Sequence, residues 1–527
     1  MNAKRFAFLL LLALGLSQIS PSAARAEASD IAAAARGVVR VVIVGQDGDE
    51  VYPVSHGTGF SVGGERIVTN AHVVAEAMNN DSLAIGIVPP EGGDAVYARI
   101  VAVSQRNDLA LLETTSTLGL PPLTIAGNPA VSGSVTAIGY PMNVDRAQGL
   151  GASDIFRPVP PVTATGFLSG RRPSREFDTL LHTAPIARGN SGGPLVDDCG
   201  RLVGVNSFGA ESGGADAEFF FAVSTRELLP FLRANNVAPR INSSPCRSIE
   251  DLEASEYQRT TRERAEDAAE TAQTETALAR RSDDLRRDLT YAVFDARSNL
   301  TALALLLLVL ALAAGGLAVF AHTRQDNRLR AIAGGAALVL LVAAIAAWVL
   351  RPSFSEIETR LEEALRAEMD EPETLTVAQP TAADTAALTC VLDPDRSRVV
   401  SVPEDDVPLE WKSDGCVNGR TQYGLSSGQW TRVLVPADEA AVSINRFNPQ
   451  SREYVVERYL LDRETMTAAR AARANYETPQ CGAGEKSALD LGAAQSAVVA
   501  SLPQRPNERL VYRCGAARPE ARPAAAE

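Results

Sequence analysis

Histidine is scarce in this sequence of 527 residues: there are four, with no C-x-x-C pair and no cluster of cysteine with histidine. Structural zinc sites need four such ligands at close spacing, so metal binding is disfavoured and no cofactor is expected. A basic excess is missing too, since the net charge is −14. Phosphate contact depends on clustered Lys and Arg, which argues against a nucleic-acid binder; the acidity serves solubility. No internal repeat is found. Proline and glycine are absent from Glu250–Arg297, and ionised residues are absent from the apolar runs Leu300–Ala321 and Ala331–Leu350. The first absence suits a long solvated helix, the second a pair of membrane spans.

What is present divides the chain into several parts, because a sequence this long exceeds one core and implies about three domains or segments. Lys4 and Arg5, the apolar run Phe6–Leu16 and the small-x-small site Ala24-Arg25-Ala26 mark residues 1–26 as a cleavable secretory signal, with an uncleaved anchor as the alternative. Either way the chain from Glu27 is exported. The six cysteines, Cys199, Cys246, Cys390, Cys416, Cys481 and Cys514, then suggest disulfides. Six cysteines permit 15 pairings. The simplest local choice is Cys199–Cys246, Cys390–Cys416 and Cys481–Cys514.

Residues 34–246 read as one all-β domain. Short β-rich runs recur between turn residues: Val38–Val44, Gly57–Val62, Ile67–Thr69, Ala84–Val88, Ala98–Val103, Leu109–Glu113, Ser134–Tyr140, Val162–Leu168, Leu202–Ser207 and Phe219–Val223. This spacing predicts a sandwich or a pair of barrels. Met142–Pro161 reads as a long surface loop and Thr225–Asn235 as a closing helix. Residues 250–297 form a charged helical stalk, a reading preferred to a coiled-coil dimer seamed by Leu278, Leu285 and Leu289. Residues 300–321 and 331–350 form a two-helix transmembrane hairpin. Each run is about 20 residues and so matches a hydrocarbon core of about 30 Å.

The link 322–330 carries Arg324, Arg328 and Arg330 against Asp326 and is expected to be cytoplasmic. Two crossings return residues 386–515 to the exported side, where their cysteines suit the redox state. Residues 355–385 form a helix, with Ile357, Leu361, Leu365 and Met369 at helical spacing, followed by a linker. Residues 386–515 are expected to be a small α+β domain stapled by disulfides, with strands at Val399–Val402, Thr431–Val435 and Ala441–Ile444 and a helix near Arg463–Asn475. Trp411 and Trp430 read as core. The tail 516–527 is expected to be disordered.

The chemistry centres on "PIARGNSGGPLVDDCGRLVGV", Pro185–Val205, where Ser191 stands among Gly189, Gly192 and Gly193. Glycine lets main-chain N–H groups converge beside a hydroxyl, as acyl transfer requires. A serine nucleophile also needs an imidazole base held by a carboxylate. His72 in "RIVTNAHVV" and Asp108 in "QRNDLALLE" supply them. His56 at a strand start, His182 and His322 at a membrane boundary take structural readings, although His182 lies on the strand leading to the site.

The stretches "TGFSV", "IVTNAHVV", "NDLALLE", "AIGYP" and "GNSGGPLVD" together resemble the trypsin-like (chymotrypsin-fold) serine proteases, closest to the HtrA/Deg group, over roughly Ala34–Asn235. The resemblance implies a double β-barrel in which His72 is general base and then acid, Asp108 orients and stabilises the imidazolium, and Ser191 is the nucleophile. It places the oxyanion hole at Gly189, Asn190 and Ser191, through the N–H groups of Gly189 and Ser191. It puts Ile186, Ser207, Phe208, Gly209 and Phe220 around the primary pocket. No carboxylate stands there, which disfavours cleavage after Lys or Arg.

Phe220 replaces a glycine usual in the HtrA group, implying a pocket that is shallow or partly closed. Asn190 replaces the aspartate that pairs with a new N-terminus in digestive relatives, so activation by that route is not expected. The PDZ domain usual after an HtrA protease is not found here. The expectation is a bacterial inner-membrane serine endopeptidase acting in the periplasm on exposed or misfolded envelope proteins. Its expected partners are peptide or protein substrates, the lipid bilayer and further copies of itself. A protease-fold peptide-binding scaffold is the alternative. A channel element is disfavoured by the uncharged spans.

Overall fold

The computed structural model describes residues 28–173, 177–209, 218–354, 356–369, 385–402 and 406–516. The signal segment, most of the linker and all but the first residue of the tail lie outside them. The chain forms two compact units, one of Met1–Glu256 with Ala382–Glu527 and one of Tyr257–Thr381.

In the first unit, β1 (Val38–Asp47), β2 (Glu50–Gly63), β3 (Arg66–Thr69), β4 (Ala84–Val88), β5 (Val96–Ser104) and β6 (Leu109–Thr114) close into a barrel in the order β1-β2-β3-β6-β5-β4. Strand residues alternate between faces. On β1, Val39, Val41 and Ile43 fill the barrel interior, while Val38, Val42 and Val44 join other clusters. Both faces of β1 are buried, so Arg40, on the face of Val38 and Val42, is buried too.

The second barrel is built from β7 (Ile125–Ala126), β8 (Gly133–Gly139), β9 (Val162–Pro173), β10 (Asp178–His182), β11 (Pro194–Val196), β12 (Leu202–Gly209), β13 (Phe220–Ser224) and β14 (Ile241–Asn242). Their order is β11-β8-β9-β10-β13-β12-β7-β14, with β11 also pairing β12. One core cluster joins Val38, Phe60, Leu109 and Leu111 of the first barrel to Ile138, Tyr140, Val205 and Val223 of the second. The barrels therefore meet along an apolar seam. Helix Thr225–Ala234 follows, with the Ser224 side chain accepting from the Arg226 N–H at its start and Leu228 and Leu232 buried.

Several details differ from the sequence reading. Met142–Pro161 is not simply a loop, because it holds helix Met142–Ala147 and a 3-10 turn at Ala152–Phe156. "MNVDRA" has no apolar stripe, so pattern alone gave no helix signal. The disulfides are Cys199–Cys246, Cys390–Cys514 and Cys416–Cys481, so the expected bonds Cys390–Cys416 and Cys481–Cys514 are replaced. Sheet pairing sets the middle one: Cys390 faces Cys514 across two antiparallel strands. Val399–Val402 is not a strand. The Val399 carbonyl accepts from Asn242 Nδ2 at 2.7 Å, and the Val400 N–H donates to the Glu508 carboxylate at 2.8 Å.

The C-terminal domain is a nine-stranded sheet. Its strands are β15 (Thr385–Leu392), β16 (Val407–Lys412), β17 (Cys416–Val417), β18 (Thr421–Gln422), β19 (Gly424–Ser426), β20 (Gln429–Leu434), β21 (Ala441–Asn448), β22 (Glu453–Leu460) and β23 (Glu508–Ala516). The order is β18-β17-β16-β15-β23-β22-β21-β20-β19. Helices Arg463–Ala474 and Glu485–Val499 cover it. Trp411 packs among Tyr423, Trp430 and Phe447 in its core.

This domain docks on the barrels within the same unit. Buried Asp30 accepts from Asn507 Nδ2 at 2.7 Å and pairs with Arg398.

One helix, Ile249–Thr323, runs from the charged segment through the first apolar run, because nothing between Arg297 and Leu300 breaks it. Asp326 caps helix Asn327–Val349, accepting from Arg328 and Leu329 N–H groups. Both helices are long and apolar enough to cross a membrane.

Candidate active site

His72 lies in the first turn of helix Ala71–Asn79, directly after β3. Asp108 ends the turn before β6 with φ of +49°, a left-handed conformation that aspartate tolerates. Asn70 Nδ2 donates to the Asp108 carbonyl at 2.8 Å and holds that turn beside the helix start. The Asp108 carboxylate meets His72 Nδ1 at 2.9 Å and accepts from the His72 backbone N–H at 3.1 Å. The Ser207 hydroxyl donates to it at 2.5 Å. With Nδ1–H committed to the carboxylate, Nε2 is left as the basic nitrogen.

Ser191 lies in the turn before β11, where its hydroxyl donates to the Ser207 carbonyl at 3.0 Å. Among the described residues no hydrogen bond joins Ser191 to His72. Such contacts commonly tighten only when substrate is bound.

The turn is locked on every side. Met142 N donates to the Arg188 carbonyl at 2.8 Å, and Thr58 Oγ1 donates to the Gly189 carbonyl at 2.6 Å. Thr58 N donates to the Ser191 carbonyl at 2.9 Å, and Gly192 N to the Asn206 carbonyl at 2.8 Å. Gly189 has φ of +100° and Gly192 φ of +84°; a Cβ at Gly189 would sit 2.1 Å from the Tyr140 carbonyl oxygen. Only glycine fits there. Asn190 spends its N–H on the Ala187 carbonyl at 3.0 Å. The N–H groups of Gly189 and Ser191 take no backbone acceptor among the described residues.

Around the pocket, the residues divide. The Phe220 ring is buried in the second barrel against Gly209, where an added Cβ would lie 3.1 Å from it. Ile186 packs on that barrel's core. Phe208 instead stacks on Phe221 at 4.9 Å, and with His72, Asp108 and Ser207 it lines a shallow cleft. His182 is fully buried beside Phe220, with ring centroids 5.9 Å apart. Burial lowers its pKa to about 4, a Ala184 backbone contact opposing in part.

Three features escaped the sequence reading: the Ser207 bond to Asp108, the bracing of the turn by Thr58, and a cluster of Arg40, His56 and Asp145 behind it. The signal for the last was a lone arginine inside "VVRVVIV". A charge in a strand buried on both faces needs a partner.

Two barrels meeting over a His–Asp pair and a glycine-bracketed serine have the architecture of a chymotrypsin-fold serine peptidase domain. Residues 57–205 match the family model described as trypsin-like peptidase domain, and this part of the chain is such a domain. The chain is 32% identical over 203 residues to serine protease Rv3671c of Mycobacterium tuberculosis, covering 37% of this chain and 45% of the relative. It is 32% identical over 145 residues to serine endoprotease DegS of Escherichia coli, covering 27% of this chain and 36% of the relative. Mitochondrial serine protease HTRA2 of Bos taurus is 32% identical over 208 residues, covering 37% of this chain and 40% of the relative. The chain thus spans less than half the length of these relatives. A crystal structure of the Rv3671c protease in its active form aligns with a TM-score of 0.32 at 26% identity, covering 42% of this chain and 89% of that one.

Proposed function

We propose that this chain is a membrane-anchored serine endopeptidase that cleaves exposed or misfolded segments of envelope proteins through an acyl-enzyme. The reading is carried by one arrangement: His72 bonded to Asp108, Ser191 nearby in a locked turn, and N–H groups on Gly189 and Ser191 that take no backbone acceptor among the described residues.

In the proposed reaction His72 Nε2 takes the Ser191 proton as Oγ bonds to the scissile carbonyl carbon, and the oxyanion rests on the Gly189 and Ser191 N–H groups. The imidazolium then protonates the departing amine as the C–N bond breaks, leaving an ester that water hydrolyses by the same steps. Loss of one oxyanion donor costs about 10²–10³ in rate. Phe220 fills the primary pocket, favouring small apolar side chains before the cut bond. The two apolar helices support membrane anchoring, and the three disulfides suit an exported, oxidising location such as the periplasm. Peptide or protein substrates, lipid and further copies of the chain are the proposed partners.

The test is fluorophosphonate labelling of the full chain in detergent, with unfolded casein as substrate. Wild-type chain should label, and Ser191→Ala should lose both labelling and hydrolysis, the latter by about 10⁴-fold or more. The chain should sediment with membranes and be released by detergent but not by salt. Two observations favour a second reading, a peptide-binding scaffold: the Ser191 hydroxyl faces the Ser207 carbonyl, and the Phe220 ring is buried against Gly209. Absence of labelling in a folded wild-type chain would select it. Phe220→Ala should deepen the pocket and raise kcat/KM for Leu or Phe before the cut bond about tenfold relative to Ala; an unchanged preference would place the pocket elsewhere.

A further inference from the structure

Arg40 is the largest fully buried side chain among the described residues and lies on the face of β1 that meets the second barrel. Its guanidinium donates to Asp145 Oδ1 at 2.9 Å and to the Ile155 carbonyl at 3.0 Å, and it sits 4.7 Å from the centre of the Tyr140 ring. His56, on β2 of the first barrel, places Nε2 3.2 Å from the Tyr140 carbonyl and 3.3 Å from Asp145 Oδ2. Two acceptors face that nitrogen, so it carries the ring proton. Burial, with Arg40 adding to it, lowers the His56 pKa against the pull of Asp145 and Tyr140, which keeps the ring neutral.

These groups converge behind the oxyanion turn. Across a planar trans peptide, C=O and N–H point in opposite directions. The bond from Met142 N to the Arg188 carbonyl therefore aims the Gly189 N–H the other way. Tyr140 N donates to Thr58 Oγ1 at 3.0 Å, and that hydroxyl donates to the Gly189 carbonyl. The short segment Tyr140–Met142 thus orients two successive peptides of the turn. Tyr140 is anchored in the apolar seam, but helix Met142–Ala147, which continues the segment, is not held by an apolar face, because Asp145 is its one buried residue. A helix of this length has no stability of its own.

We propose that Arg40, His56 and Asp145 clamp Tyr140–Ala147 across the barrel seam and so hold the Arg188–Gly189 peptide with its N–H directed at the oxyanion. Arg40, His56 and Asp145 are then positioning residues, acting through Tyr140 and Met142 on the Gly189 donor. The proposal rests on the peptidase reading above. Barrel one supplies two members and the segment after β8 the third, so the donor is competent only while the barrels are in register.

The test uses the full chain in detergent and compares wild type with Asp145→Asn, His56→Leu and His56→Gln, checking folding by near-ultraviolet circular dichroism. The readouts are the fluorophosphonate labelling rate, kcat and KM on labelled casein, and affinity for a peptide boronate, whose tetrahedral adduct uses the oxyanion hole. Asp145→Asn, which keeps shape and loses charge, should lower labelling and kcat about tenfold to a hundredfold, short of complete donor loss. KM should stay within about twofold and boronate affinity should fall in step with kcat. His56→Leu should behave similarly, while His56→Gln, which retains a donor near the Tyr140 carbonyl, should recover most of the rate. Folded variants with wild-type labelling and boronate affinity would overturn the clamp while leaving the peptidase reading intact; so would a loss in KM alone. An unlabelled wild type would overturn both. If Asp145→Asn fails to fold, equal rates for His56→Leu and His56→Gln would still overturn the proposal.

Discussion

The two barrels and the C-terminal sheet solve the same problem with different means. The first barrel closes on itself, so its strands have no open edge, and β1 is buried on both faces. The C-terminal domain spreads nine strands in an open order, joins β15 to β23 by Cys390–Cys514 and ties β17 to the segment between its two helices by Cys416–Cys481. One residue, Tyr423, separates β18 from β19 at the two ends of that sheet, so the sheet curls round on itself. The contrast teaches where covalent restraint matters. The first barrel, whose strands carry no cysteine, holds itself by burial, whereas the second barrel, tied by Cys199–Cys246, and the curled sheet gain from bonds that limit their unfolded state.

Removing the disulfide of the sheet should separate the two regions most sharply. Replacing Cys390 and Cys514 together by Ala should cost the C-terminal domain about 2–5 kcal/mol, read as earlier proteolysis of that domain, while the Ser191 labelling rate stays at the wild-type value. Equal loss of labelling would show that the barrels depend on the sheet through the Asp30–Arg398 contact.

Acid should act in the opposite sense. The histidines are His56, His72, His182 and His322, so the C-terminal domain has none. His182 has a folded pKa of about 4 against 6.5 for the free side chain. Above pH 6.5 both states are neutral and nothing is lost. As pH falls from 6.5 toward 4 the unfolded chain binds a proton that the folded barrel refuses, and stability drops by up to about 3 kcal/mol. His182→Leu should flatten that loss in a pH series of barrel melting and leave the C-terminal domain unchanged.

The smallest effects should be alike in both regions, because helix capping is local. Ser224 accepts from Arg226 N at the barrel helix, and Asp462 accepts from Thr465 N at 2.7 Å in the C-terminal domain. Ser224→Ala and Asp462→Ala should each cost about 1 kcal/mol, measured as a shift in the melting of its own domain. A much larger loss at either position would show a tertiary role for that cap.

The sequence made the long strands of the barrels legible, since each carries an apolar run bounded by turn residues. It missed β7, β11 and β14, which span two or three residues and are too short for any period. In the C-terminal domain it missed helix Glu485–Val499, whose Ala- and Ser-rich stretch has a weak apolar face. Of the site, His72, Asp108, Ser191 and the glycines stood in compact local motifs. Ser207 was visible only as a wall of the pocket, because its bond to Asp108 joins positions 99 residues apart.

By itself the sequence determined what depends on neighbours along the chain: the strand alternation, the apolar helices, and a serine turn whose backbone only glycine can adopt. Tertiary structure decided what depends on distant residues meeting. Cys390 found Cys514 because two strands pair in register, not because either lay closest in sequence. Arg40 found Asp145, 105 residues away, because a closed barrel buries both faces of β1 and a buried charge is stable only beside its counter-charge.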